Sequence, residues 1–289
     1  MNEIIVPLVG GLGNQMFQYA AASAVASRCN VPLKLDLSWF NTSIDRNYAL
    51  SPFNIDAEIF EPNRQRRGTS IIREFTWLST LFKKFPSNNT FHESSFRYDP
   101  KINNVSAPAI IKGYFQSEKY FENIKSKIEN DFQLSNNPEQ KTLAVLESIK
   151  ASDSICLHIR RGDYVSDKKT NSYHGVCSLD YYKIALEKAS LGMTSPHCFI
   201  FSDDPEWVKH HFHINIPSTV VDIHGANEAH EDLRLMAACQ NFVIANSSLS
   251  WWGAWLGNDV KKTVIAPKQW FADQSIDTSD LLPKDWLRI

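Results

Sequence analysis

The sequence predicts an α/β protein of two lobes, each a parallel sheet covered by helices, and three observations predict it. Short apolar runs recur as buried strands: Ile4 to Val9, Pro32 to Asp36 and Ala109 to Gly113 in the first half, and five more between Ile155 and Ala266. Stretches of helical spacing separate them, the alternation that a parallel sheet with crossover helices requires. A polar stretch ending in proline, Asn136-Asn137-Pro138, interrupts both patterns near the middle of the 289-residue chain, a length that suits one two-lobed body. The expected lobes are 1–137 and 138–289, with the last residues able to pack back on the first lobe. The ligand is expected in the cleft between them, at the carboxyl ends of the strands.

The elements follow in order. After the first strand, Gly10-Gly11-Leu12-Gly13 turns the chain into an alanine-rich run from Asn14 to Cys29 with apolar residues at helical spacing. Pro32 to Asp36 is the second strand, and Asn41 to Pro108 has no readable period. Ser117 is placed to cap a helix carrying Tyr120, Phe121, Ile124 and Ile128 on one face. The second half is more regular. Strands are expected at Ile155 to Ile159, His197 to Phe201, Thr219 to Asp222, Phe242 to Ala245 and Thr263 to Ala266, with helices at Leu179 to Ala189, Pro205 to Phe212, Glu231 to Cys239 and Ser248 to Leu256.

Composition removes several classes of function. Hydrophobic residues at 43% and charged residues at 21% allow a buried core and exclude wholesale disorder. Thirty basic against thirty-two acidic side chains leave a formal charge of -2, so no global field draws the chain to nucleic acid or anionic lipid. The basic residues Arg64, Arg66 and Arg67 are a local cluster. Five cysteines without a C-x-x-C pair argue against a disulfide framework and a structural zinc, and fit a reducing, cytoplasmic compartment. The first apolar run lacks a basic flank and a membrane-spanning length, so it reads as a strand.

Polar clusters fall just after predicted strands, where an open α/β sheet places its site. In His158-Ile159-Arg160-Arg161-Gly162-Asp163, two guanidinium groups at a strand end suit a diphosphate, with Asp163 able to orient one of them; a structural ion pair is the competing reading. Asn246-Ser247-Ser248-Leu249-Ser250-Trp251-Trp252 opens a helix whose serines either cap it or bind phosphate at the positive end of its dipole. There Trp251 packs the helix on the sheet or borders the cleft as a sugar platform. In the first turn, Met16 stands where a dinucleotide fingerprint has its third glycine, and no Gly-Lys-Ser/Thr follows. Ser202 and Asp203 end another strand, where Asp203 either accepts from guanine N1–H and N2–H or belongs to a helix cap. No Asp-x-Asp occurs, so the usual carboxylate pair that holds a metal against a nucleotide diphosphate is missing. His210, His211 and His213 read as surface residues rather than a metal site.

Taken together, Gly10 to Gln18, Gly113 to Glu118, His158 to Tyr164, His174-Gly175-Val176, Phe201 to Asp204, Glu231-Asp232-Leu233 and Asn246 to Leu256 resemble, in order, the motifs of glycosyltransferase family 11, the α-1,2-fucosyltransferases, and of its bacterial members in particular. Phe115 stands where relatives often carry tryptophan. The resemblance implies a GT-B architecture with lobe 1–137 mainly on the acceptor side and lobe 138–289 binding the donor, a GDP-β-L-fucose donor, inversion at the anomeric carbon, no metal or other cofactor, and a galactose-terminated glycan as acceptor. It places the double arginine on Arg160 and Arg161 and the phosphate-binding serines on Ser247 and Ser248. Asn14, Gln15, His158, Ser202, Asp203 and Asn246 complete the expected donor contacts, and Gln116 and Trp251 the acceptor contacts. Arg160, Asp163 and His174 are the expected catalytic residues, with Asp167 a further candidate base. Another GDP-sugar, or a noncatalytic glycan- or nucleotide-binding role, is the alternative. A lipid-linked acceptor would bring the protein to the inner face of the cytoplasmic membrane.

Overall fold

The computed structural model describes residues 2–44, 46–60, 89–162, 165 and 168–289. Arg64, Arg66, Arg67, Asp163 and Asp167 lie outside the described residues. The chain divides into two compact units, Met1–Gln133 and Leu134–Ile289. Each holds one all-parallel sheet with helices packed on it, the two Rossmann-like lobes of the GT-B class.

In the first unit, β1 (Ile4–Pro7), β2 (Leu33–Asp36), β3 (Glu58–Ile59), β4 (Thr90–His92) and β5 (Ala109–Lys112) pair in the order β3-β2-β1-β5-β4. The glycine turn feeds α1 (Leu12–Cys29), which is buried from Leu12 through Val25 apart from Asn14. A helix closed in on nearly every side needs small residues, and the alanine run supplies them. Asn30 ends it in the left-handed region at φ 54°, its N–H satisfying the carbonyls of Ala26 and Ser27.

The single helix expected after Ser117 is instead two 3-10 turns, Glu118–Tyr120 and Glu122–Ile124, followed by α2 (Lys125–Asp131). The break lies at Phe121, whose φ of -141° leaves the helical range. That departure seats its buried ring 6.3 Å from Phe17 of α1, so tertiary packing overrides the local period.

In the second unit, α3 (Gln140–Lys150), β6 (Asp153–Ile159), α4 (Lys168–His174), α5 (Leu179–Ala189), β7 (Pro196–Ser202), α6 (Pro205–His211), β8 (Ser218–Val221), α7 (Ala229–Ala237), β9 (Asn241–Val243), α8 (Ser248–Leu256), β10 (Val264–Ala266) and β11 (Leu287–Arg288) follow in sequence. The sheet order is β11-β10-β9-β6-β7-β8. Ile155, Leu157 and Ile159 of β6 pack with Tyr182, Ala185 and Leu186 of α5 on one face. The alternate residues Cys156 and His158 point to the other, where α3 packs on β6 and α7 packs against α8. The final residues run along β10 as β11. The chain order reverses at β6, flanked by β7 and β9, which makes the ends of β6 and β9 the switch point where such sheets hold ligands.

One buried polar link ties the first unit together. Tyr19 of α1 donates to Asp131 of α2 at 2.7 Å and accepts the Asp56 N–H at 3.0 Å, and Lys127 also donates to Asp131 at 2.7 Å. Burial, then the Asp131 carboxylate, push the phenol's pKa far up, so it stays a donor at any working pH. Tyr19→Phe is expected to lower stability by about 1–3 kcal/mol, because Asp131 loses a donor it cannot replace from water. The drop in urea midpoint, at unchanged m-value, measures it.

Candidate functional site

Parallel pairing of β6 with β7 puts His158 beside Phe201 and Ile159 beside Ser202. The residues that follow each strand therefore meet. Arg160 Nη1 lies 3.1 Å from Asp203 Oδ2, and the Arg161 backbone N–H donates to Asp203 Oδ1 at 2.8 Å. Arg161 Nε donates to Asp204 at 3.3 Å, while its guanidinium carbon lies 3.6 Å over the Trp207 ring, a cation–π contact. The side chains of Arg160 and Arg161 remain 19% and 17% exposed, so both arginines are oriented but not sealed in. The Arg161 Nη groups carry no hydrogen bond among the described residues. Gly162 completes the corner, since a Cβ there would collide with the Asp203 carboxylate.

The acidic pair resolves the alternatives left open by the sequence. Asp204 caps α6 by accepting the Trp207 N–H at 3.3 Å, with Pro205 at the first helical position. Ser202 Oγ accepts the Asp204 N–H at 3.1 Å and shapes the turn. Asp203 holds Arg160 and the Arg161 backbone.

At the end of β9, Ala245, Asn246 and Ser247 are buried as the chain enters α8. Ser250 Oγ donates inward to the Ala245 and Ser247 carbonyls, the stapling role. Ser247, the N-cap residue, makes no side-chain cap bond, and neither its hydroxyl nor that of Ser248 has a partner among the described residues. Two unspent hydroxyls thus accompany the unpaired N–H groups of the first turn of α8.

Four expected contacts take other roles. Trp251 is wholly buried, its ring 5.0 Å from Trp252 and 5.4 Å from Trp286, and its indole N–H donates to the Leu281 carbonyl at 3.0 Å. It is core, not an acceptor platform. Asn246 spends its amide on the carbonyls of His174, Trp270 and Gly175 at 2.9, 3.1 and 3.3 Å, so it fixes loops rather than meeting a donor. Gln15 is fully buried, donating to the Gly10 and Asn47 carbonyls and accepting the Ala49 N–H. His158 is 3% exposed because β6 is central and covered on both faces. Burial, then the charge on Arg160, hold its pKa down at about 3, so it packs beneath the arginines as a neutral ring.

Asn14, in the first turn of α1, and Gln116, on the segment that follows β5, bond each other, Gln116 Nε2 to Asn14 Oδ1 at 2.9 Å. The expected donor contact and the expected acceptor contact in this unit are one linked pair. The segment reaching Gln116 is held by a residue the sequence reading missed. Glu93 Oε2 accepts the N–H groups of Tyr114 at 2.7 Å and Phe115 at 2.9 Å. Phe115 is strained at φ 54°, and any side chain at Gly113 would strike Glu93. No local signal marks Glu93, because its partners lie 21 and 22 residues away. His174 ends α4 with its ring 5.7 Å from that of Phe271.

Among the described residues, no three His, Cys, Asp or Glu side chains are grouped as a metal would need. Comparison with known proteins then identifies the lineage. A family model described as glycosyl transferase family 11 matches residues 2–289. An α-1,2-colitosyltransferase of Escherichia coli is 34% identical over 100% of this chain and 99% of its own. The O-antigen biosynthesis glycosyltransferase WbnK of Escherichia coli is 30% identical over 98% and 99%. A galactoside 2-α-L-fucosyltransferase of Caenorhabditis elegans is 31% identical over 50% of this chain and 40% of its own.

The Glu93 link gives a signed pH effect. Burial raises its pKa above the ordinary glutamate value, outweighing the Phe115 and Tyr114 N–H groups and the Tyr120 hydroxyl that lower it. The stability tied to its protonation is therefore complete below the ordinary range and is lost as pH rises through the raised value. Glu93→Gln keeps an acceptor without the titration. The stability of the wild type relative to Glu93→Gln is expected to fall as pH rises from the ordinary glutamate range through the raised value, read from paired urea midpoints.

Proposed function

Because the chain belongs to glycosyl transferase family 11, we propose that this glycosyltransferase moves L-fucose from GDP-β-L-fucose to the 2-hydroxyl of a terminal galactose with inversion, without a metal ion. The acceptor oxygen forms a bond to the sugar C1 as the bond from C1 to the β-phosphate oxygen breaks, and that electron pair leaves with GDP. Positive character grows on the sugar ring and negative charge on the departing diphosphate. Fixed donors aimed at that charge lower the barrier because they need no reorganisation when it develops.

The observation that carries this reading is the arginine pair at the end of β6, oriented by Asp203 and Asp204 and separated by one strand position from the α8 N-terminus with its two unspent serines. Arg160, Arg161, Ser247 and Ser248 would receive the diphosphate, Arg161 through its Nη groups. The acceptor proton goes to Asp163 or His174, whose alanine variants separate in their pH profiles of turnover.

A second donor has a specific observation behind it: a relative matching this chain end to end is named a colitosyltransferase. Colitose is the 3-deoxy counterpart of L-fucose, so one diphosphate clamp serves either GDP-sugar and the choice rests on contacts to one hydroxyl. The WbnK likeness supports an O-antigen-type glycan as acceptor. A lipid-linked form would bring the chain to the inner membrane face from the cytoplasm; among the described residues no helix is long and apolar enough to cross a membrane.

Arg160→Ala is expected to lower turnover at least about 100-fold, since charge-assisted hydrogen bonds contribute roughly 1.5–3 kcal/mol each and about 1.4 kcal/mol is a factor of ten in rate. Product formation from GDP-fucose with EDTA present measures it, and activity within a few-fold of wild type removes Arg160 from the clamp. In an equimolar contest between GDP-fucose and GDP-colitose on a β-galactoside, fucosylated product is expected to dominate, with NMR fixing the α-1,2 linkage. Dominant colitosyl transfer would reassign the donor and leave the clamp standing.

A further inference from the structure

One cavity in the second unit is not used by the diphosphate clamp. It measures about 710 Å³ and opens beside the carboxyl ends of β9 and β10, where Asn246 and Pro267 form part of its wall. This volume is within the range of about 300–1,000 Å³ typical of small-molecule sites, enough for a di- or trisaccharide. Neither Arg160 nor Arg161 lines it.

Its walls are tied in place from three stretches of chain. Asn246 holds the carbonyls of His174, Gly175 and Trp270 together. The Ala272 N–H donates to the Tyr173 carbonyl at 2.9 Å, and the Lys268 N–H to the carbonyl of the terminal residue Ile289 at 2.7 Å. A pocket bound together in this way is formed before anything enters it, which lowers the ordering cost of binding.

The chemistry of the lining selects among ligands. Lys268 and Asp273 contribute one charge of each sign, and Asp273 already accepts the Ser275 N–H and hydroxyl. The remaining wall is the imidazole of His174, apolar surface as at Val176 and Ile276, and neutral polar groups as at Gln274. No excess of cationic groups is present to hold a phosphate. Apolar patches beside amide groups are what the two faces of a neutral pyranoside require, its C–H face on the first and its hydroxyls on the second.

His174, one of the two candidate bases, lines the cavity, and so does Asn246, which directly precedes the N-cap Ser247 in the chain. From these facts, and resting on the transferase reading above, we infer that this cavity seats the β-galactoside end of the acceptor. Acceptor recognition then belongs to the same unit as the donor clamp, through residues 174–178 and 267–278.

Two variants test the assignment. Ile276→Trp fills the cavity, and Gln274→Ala removes an exposed amide with little demand on folding. Binding of lactose and methyl β-galactopyranoside is followed by saturation-transfer NMR in the presence of GDP, and kinetics with GDP-fucose are run in parallel. The expected result is loss of the galactoside signal in Ile276→Trp. The acceptor KM should rise at least tenfold in Ile276→Trp and at least threefold in Gln274→Ala, while the KM for GDP-fucose moves less than twofold in both. An unchanged galactoside signal and acceptor KM in both variants, or a rise confined to the donor KM, overturns the inference. Wild-type galactoside binding that Ile276→Trp abolishes supports the cavity even where GDP-fucose gives no product, an outcome that strikes the donor reading alone.

Discussion

Two positive charges held side by side at the end of a central strand repel each other, and the second unit is arranged around that cost. At contact distances the repulsion is moderate near a protein surface and far larger in a dry interior. The structure answers with position and partners. Arg160 and Arg161 lie just past the last buried residue of β6, and Asp203 and Asp204 arrive from β7 one strand away. The carboxylates neutralise part of the charge and set direction, while the Trp207 face supports Arg161 from below. Asp204 serves twice, capping α6 as well as holding Arg161. The geometry of the arginines is thereby coupled to the folding of a helix that also covers the sheet through the buried Val208.

The same sheet logic explains how much could be read in advance. Buried parallel strands are continuous apolar runs, so β6, β7 and β10 stand out, and α5 and α8 fall on their observed bounds of Leu179–Ala189 and Ser248–Leu256. Helices with a weak apolar face do not stand out. α3 buries only Thr142 and Ile149, too little for its period to be noticed. β3 and β4 have two and three residues and exist because neighbouring strands pair with them, not because of their own sequence. The two turns in place of one helix after Ser117 depend on where Phe121 finds Phe17, which is a long-range fact.

The site divides in the same way. Residue type and strand-end position singled out Arg160, Arg161, Ser247 and Ser248, and the structure puts them just past the neighbouring strands β6 and β9. Gln15, Asn246, His158 and Trp251 were legible as important but not in what they do. Each lies in or near a segment that follows or ends a strand, as the others do, yet burial turns its polar atoms inward. An amide that ties three carbonyls together and one that binds a substrate look identical in a sequence. Glu93 was invisible because its partners are remote in the chain, and only the left-handed Phe115 beside it betrays the strain it holds.

Gly162 carries a consequence for anyone wishing to redesign the enzyme. The space its missing side chain leaves is occupied by a carboxylate that is itself pinned by Arg160 and by the Arg161 backbone, so that carboxylate can retreat only by giving up those contacts. Any side chain at position 162 therefore disturbs the arginine geometry through residue 203, whereas shortening residue 203 at the same time would open the corner at the expense of loosening an arginine. Altering sugar preference is therefore better attempted from the far end of β9 and β10, where the walls can change without reaching this knot.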